Sequence, residues 1–205
     1  MVADTAREDA LRALGYHRIV GIDEVGRGPW AGPVVVAGVI LNPADIPDGL
    51  ADSKTLSASK RELLRTQILA SATTKIVEVP VEVIDQMNIL AASLLGMRQV
   101  AQTLAADFAL IDGNKIPTDL PCPAEAVIKG DSKSASIAAA SIIAKVYRDE
   151  LMADLADDFP GYGWETNAGY GTKMHQSALQ NLGVTPHHRR SFKPIHNILY
   201  GDGAS

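Results

Sequence analysis

Cysteine is nearly absent from this 205-residue sequence, with Cys122 its only example. One thiol excludes an intramolecular disulfide and a cysteine-rich zinc site, and it suits a reducing compartment. No apolar run comes near the ~18 residues needed to span a bilayer, so no membrane partner is expected. The opening residues, MVADTAREDALRALG, mix both charge signs and contain neither the basic n-region nor the apolar h-region of a secretory signal. Internal repeats and low-complexity tracts are also missing, as is a Gly-Lys-Ser/Thr phosphate loop. These absences describe a soluble, cytoplasmic protein. What is present is ordinary for a globular chain: 46% apolar and 21% charged residues exclude a disordered or fibrous protein. The length suits one large domain, or one domain with a small appendage, and gives a core that needs no covalent staples.

An excess of basic charge is lacking too. The net charge of −5 is unlike the basic footprint of most nucleic-acid binders. The distribution tells more than the sum. Residues 161–201 hold four basic side chains (Lys173, Arg189, Arg190, Lys193) against one acidic, Glu165, and four of the five histidines. An acidic body with a basic tail points to a polyanionic partner, although a solvated basic face reads the same way.

The hydrophobic pattern predicts strands over residues 17–25, 33–41, 74–80, 108–112 and 126–128. Helices are expected over 57–72, 89–106, 134–159 and 172–182. In the first of these, Ser59 and Glu62 have the spacing of a capping box. The third is the longest, has small residues near its start, and is stopped by Pro160, Gly161 and Gly163. A strand-rich opening followed by alternating strands and helices implies an α/β architecture, with a mixed sheet covered by helices. The expected division is a catalytic body over 1–160 and a small basic C-terminal segment over 161–205.

Two of these strands end in acids. Asp23 and Glu24 follow Ile19, Val20 and Ile22, and Asp112 follows Ala109, Leu110 and Ile111. Burying unpaired carboxylates is costly, so acids converging at one sheet end call for a cation between them. Hard ions such as Mg²⁺ or Mn²⁺ prefer such oxygen donors. Asp131, in IKGDSKS, could be a fourth member, or simply a helix cap; the alternative for the first pair is an exposed strand end with its acids in solvent.

Gly26-Arg27-Gly28-Pro29-Trp30-Ala31 formally matches a dinucleotide fingerprint. The context fails, because that motif must open a helix, whereas Pro33 leads into the apolar run VVVAGVIL. A loop whose backbone approaches a ligand closely, with Arg27 supplying charge, fits better.

Taken in order, GIDEVGRGPWAGPVVVAGVIL, DSKTLS, LIDG, KGDSKSASIAAASIIAKVYRD, GYGTKMH and HRRSF resemble bacterial ribonuclease HII from about residue 17 to 195. The resemblance implies an RNase H-like fold, a central mixed β-sheet flanked by helices with a small helical C-terminal part. It also implies an endoribonuclease that cuts the RNA strand of RNA–DNA hybrids. Such an enzyme would nick 5′ of single ribonucleotides embedded in duplex DNA, leaving 3′-hydroxyl and 5′-phosphate ends. By motif, Asp23, Glu24, Asp112 and Asp131 would be the catalytic, metal-binding acids, holding two divalent ions (Mg²⁺ or Mn²⁺) at the scissile phosphate. The backbone of Gly26, Arg27 and Gly28 would sense the 2′-hydroxyl, and Tyr170 would pack on the next sugar. Lys54 would meet the phosphate near the metals. Lys173, His188 and Arg189 would contact the phosphate backbone. The short GDGAS ending lacks the clamp-binding peptide of longer members, so no sliding-clamp partner is expected, and a monomer is. The competing expectation is a non-catalytic nucleic-acid-binding module of the same fold, against which the four intact acids count.

Overall fold

β2 (Val34–Ile40) is buried along its whole length, which places it inside a sheet covered on both faces. The computed structural model describes residues 2–201. It contains a five-stranded sheet in the order β3-β2-β1-β4-β5. β3 (Thr73–Val79), β2 and β1 (Ile19–Val25) are antiparallel neighbours; β4 (Phe108–Asp112) and β5 (Ala124–Val127) extend β1 in parallel. Helices α2 (Ala58–Ser71) and α5 (Ala135–Asp158) pack on one face, through Val35, Ala37, Val39, Leu64, Ile68 and the alanines of α5. α4 (Ile89–Thr103) covers the other, where Met97, Val100 and Ala101 meet Val20, Ile22 and Val36. The mixed sheet with flanking helices is the architecture expected from the sequence. Among the described residues, no helix is long and apolar enough to cross a membrane. The GDGAS tail, for which no clamp-binding peptide is expected, lies outside the described residues from 202 onward.

Several boundaries differ from the sequence pattern for identifiable reasons. β1 starts at Ile19, because the Asp107 carboxylate takes the backbone N–H groups of His17 and Arg18 at 2.8 and 2.9 Å. The cap of α2 is Ser57, whose hydroxyl accepts from the Lys60 N–H, rather than Ser59. β5 closes at Val127, leaving Ile128 exposed. The sequence pattern does not predict α1 (Ala6–Ala13), α3 (Val81–Met87), α6 (Trp164–Asn167) or α8 (Lys193–Tyr200), which at four to eight residues are too short for a helical period to stand out. α1 earns its place through Glu8, whose buried carboxylate accepts from the Ser134 hydroxyl and from the Ser136 N–H at the start of α5. α6, α7 (Lys173–Leu182) and α8 pack with the far end of α5 around Trp164, Leu179, Ile195 and Met152.

α5 is buried almost all round from Ala135 to Ala144, and small side chains let it lie close to β1. The closest approach is at Gly21, where a Cβ would sit 2.2 Å from the backbone carbonyl carbon of Ser136. Backbone on both sides leaves no flexible atom to yield. Gly21→Ala is therefore expected to cost about 1–3 kcal/mol or more in urea unfolding, since overpacking forces strand and helix apart. An unchanged midpoint would contradict this packing.

Candidate active site

The sheet's register brings the acids together. Ile22 pairs with Ile111, so the next residues, Asp23 and Asp112, come level on adjacent parallel strands. Asp23 lies opposite Ala37, on the α5 face, and Glu24 opposite Val36, on the α4 face. The two consecutive acids thus straddle the end of the sheet. Asp112 also fixes the fourth acid: its Oδ1 accepts the Gly130 N–H at 2.7 Å, anchoring the short turn Gly130–Ser132 that carries Asp131. Asp131 lies in this turn, and Ser134 is the cap of α5.

Burial and crowding together set the electrostatics of these acids. Burial, then the charges of Glu24, Asp112 and Asp131, push the Asp23 carboxyl well above the usual carboxylate range. Burial also raises Glu24, partly opposed by Arg27, whose guanidinium sits 3.1 Å from Oε1. Asp131 is raised by burial and by Asp52 and Asp112. Asp52, which sequence reasoning passed over, is therefore a fifth acid at the edge of the group. It caps the turn Ser53–Thr55 through the Lys54 N–H at 2.9 Å. Its signal was present as the Asp of DSKTLS, but an Asp before a turn has an ordinary capping role. Lys54 is largely exposed; burial alone would lower its pKa, yet Asp52, Asp131, Asp23 and Asp112 together raise it.

Hard divalent cations fit this donor set. Glu24 Oε2 is buried without a hydrogen-bond partner, and Asp23 is held in its charged form only at a cost that a cation offsets. Asp23, Glu24, Asp112 and Asp131 are the residues that could hold the ions. Among the described residues, no three acidic, histidine or cysteine side chains are already drawn tightly enough to enclose one.

A cleft beside these acids is lined by Asp23, Glu24, Lys54, Lys145, Arg148 and Tyr170. Gly26 enters the adjoining loop at φ +92°, and a Cβ there would lie 2.1 Å from Arg148 Nε. A Cβ on Gly28 would lie 3.3 Å from Tyr170 Cε1, so the glycine loop and the tyrosine ring face each other. Tyr170 is 49% exposed, as a side chain meeting a ligand must be. Lys173 is exposed at the start of α7.

His188 and Arg189 do not occupy the surface positions that direct phosphate contact requires. Both are 0% exposed. Arg189 donates to the carbonyls of Gly26, Arg27 and Gly32 at 2.5, 3.0 and 2.9 Å, beneath the loop. Its partner is Arg148, absent from the sequence-based set, which donates to Ala31, Pro33 and Ala168. Among the described residues, neither arginine forms an ion pair with a carboxylate. Motif position suggested charge on a surface, but periodicity could not show that backbone carbonyls bury these side chains.

His188 instead joins a buried chain behind Tyr170. Its Nδ1 accepts the Thr185 N–H at 3.0 Å, which leaves Nε2–H to donate to His175 Nε2, also at 3.0 Å. His175 Nδ1–H then donates to the Tyr170 carbonyl at 3.0 Å. Burial, and then the neighbouring His175, push His188 down to about 3; burial also lowers His175. Unfolding releases an imidazole that takes up a proton below about pH 6.5, whereas folded His188 stays neutral there. Its contribution to stability is thus complete above that pH and is lost progressively as pH falls towards the folded value. In an imidazole NMR titration from pH 8 to 5, His188 is expected to remain neutral. A midpoint near 6.5 would contradict the relay.

Comparison with known proteins places the chain in a family. The ribonuclease HII family model matches residues 20–195. The ribonuclease HII of Ruegeria pomeroyi is 63% identical over 199 residues, covering 96% of this chain and 85% of its own. That of Cereibacter sphaeroides is 56% identical over 203 residues, covering 98% and 96%. Among solved structures, the ribonuclease HII of Archaeoglobus fulgidus, determined in complex with PCNA, superimposes with a TM-score of 0.75 at 28% identity over 86% of this chain and 95% of that one. Bst-RNase HIII, solved with Mn²⁺, shares the fold at a TM-score of 0.73 and 20% identity, over 93% and 72%. Strand-end acids, glycine loop and whole-chain similarity lead to one conclusion: this chain belongs to the ribonuclease HII family.

Proposed function

We propose that this RNase H-type endonuclease acts on RNA–DNA hybrids and on duplex DNA containing single ribonucleotides, cutting 5′ of the ribose and leaving 3′-hydroxyl and 5′-phosphate ends. The observation that carries the reading is the meeting of Asp23, Glu24 and Asp112 at one end of the sheet, with Asp131 anchored to Asp112, beside a glycine loop that faces Tyr170. Asp23, Glu24, Asp112 and Asp131 would hold two divalent ions, Mg²⁺ or Mn²⁺. When bound, such ions supply Lewis acidity at a phosphodiester and lower the pKa of water.

The chain's own groups perform the rest. The carboxylates set the local charge into which an anionic phosphate must dock. Lys54, raised in pKa by the same acids, offers a mobile cation to a phosphate oxygen at the cleft rim. The backbone of Gly26, Arg27 and Gly28 is bare enough to touch a ribose 2′-hydroxyl, a group that both donates and accepts. Tyr170, facing Gly28, would stack against the neighbouring sugar and favour deoxyribose there. Lys173, three residues further along the chain at the start of α7, would fix register through the phosphate backbone.

An end-labelled duplex with one ribonucleotide tests this directly. Cleavage is expected 5′ of the ribose, only with Mg²⁺ or Mn²⁺. Asp23→Asn should reduce it roughly a hundredfold or more while leaving duplex binding measurable, because several kcal/mol of charge stabilisation depend on that carboxylate. Cleavage at wild-type rate by the variant, or without any divalent ion, would refute the assignment. Tyr170→Ala should flatten the preference for a deoxynucleotide after the ribose, with little change in melting temperature. An unchanged preference would remove Tyr170 from the site.

A further inference from the structure

Arg189 contacts the two peptide groups that the proposed function assigns to ribose recognition. Nη2 donates to the Gly26 carbonyl at 2.5 Å and Nη1 to the Arg27 carbonyl at 3.0 Å. Each carbonyl shares a planar trans peptide with the next N–H, on Arg27 and on Gly28 respectively. The C=O and N–H of such a unit point in opposite directions. Holding the carbonyls from below therefore aims these two N–H groups away from the buried guanidinium, towards the side on which Arg27 and Gly28 are exposed. Among the described residues, neither N–H has a protein acceptor.

The guanidinium itself is held firmly. Nε donates to the Gly32 carbonyl, the Phe192 ring lies 5.0 Å from Cζ, and the residue is fully buried. A charge-assisted hydrogen bond to a carbonyl also polarises the peptide, making its N–H a stronger donor in a site of low dielectric.

We propose that Arg189 is a positioning residue for ribose selectivity: it orients and polarises the Arg27 and Gly28 N–H groups so that they recognise a 2′-hydroxyl. The inference rests on the proposed function and goes further, by locating the source of discrimination in a side chain that never touches substrate. Lysine keeps the charge but lacks the planar fork that reaches three carbonyls at once. Loss of the fork should weaken ribose recognition specifically.

The test measures binding in an Asp23→Asn background, where cleavage does not interfere. Fluorescence anisotropy gives the affinity for a duplex with one ribonucleotide and for the same duplex in all-deoxy form. Adding Arg189→Lys should lower the ratio of the two affinities about tenfold, the worth of one good hydrogen bond, with all-deoxy affinity nearly unchanged. Phe192→Leu, which loosens the guanidinium while retaining an apolar filler, should lower the ratio by a smaller factor and keeps the test open if Arg189→Lys does not fold. Leu179→Ala, in the nearby apolar cluster, should lower the melting temperature and leave the ratio intact. A ratio unchanged in both the Arg189 and Phe192 variants overturns the inference, as does an equal loss of affinity for both duplexes. A parent protein with no preference for the ribonucleotide would overturn the proposed function along with it.

Discussion

Carboxylates crowded at the end of a sheet are unstable neighbours, and much of this molecule is arranged to keep them there. β1 and β4 run parallel and in register, so Asp23 and Asp112 come level whatever their charges prefer. Asp112 spends one oxygen on the Gly130 N–H, tying down the turn that brings Asp131. Burial, and then repulsion from Glu24 and Asp112, raise the pKa of Asp23, and Glu24 Oε2 is left buried and unpartnered. Apolar packing supplies the opposing force: the sheet is sealed by α5 on one side and α4 on the other, and α5 approaches β1 at backbone distance over Gly21. Stability stored in the core thus offsets strain at the site, as expected where function needs an arrangement that folding alone does not.

Beneath the substrate-facing surface lies a second, polar layer. Arg148 and Arg189 together donate six hydrogen bonds to backbone carbonyls of residues 26–33 and Ala168. Burial, together with the charge of Arg148, lowers Arg189 to about 9, and burial lowers Arg148 to about 10, so both stay cationic at neutral pH. The histidine pair fixes the Tyr170 carbonyl from behind, while the Trp30 N–H donates to the Gly169 carbonyl at 2.8 Å. Glycine loop and tyrosine are thereby mounted on one hydrogen-bonded support, which suits a site that must measure a single hydroxyl group.

The sheet was readable because its strands are short, β-branched and bounded by turn residues, and because β4 ends visibly in Asp112. The acids could be named from that pattern and from the motif resemblance. Less visible was anything carried by long-range polar contact. α1 has a weak apolar face and is fixed by Glu8 bonding to serines about 126 residues away, which no local pattern reveals. The capping-box spacing pointed to Ser59, whereas the chain turns into the helix two residues earlier at Ser57. His188 and Arg189 read as surface charge because motif position carries no information about burial; only the fold shows that carbonyls of a distant loop enclose the guanidinium. Asp52 was hidden by its ordinary role at the start of a turn.

The central claim, that cations relieve repulsion among these acids, is tested most directly by thermal melting with and without Mn²⁺. The wild-type protein should gain melting temperature on adding Mn²⁺, by mass action on the native state. Asp23→Asn should melt higher than wild type without metal, because a repelling charge has gone, and should gain little from Mn²⁺. Equal Mn²⁺ gains in the two proteins, or a metal-free variant that melts lower than wild type, would contradict it.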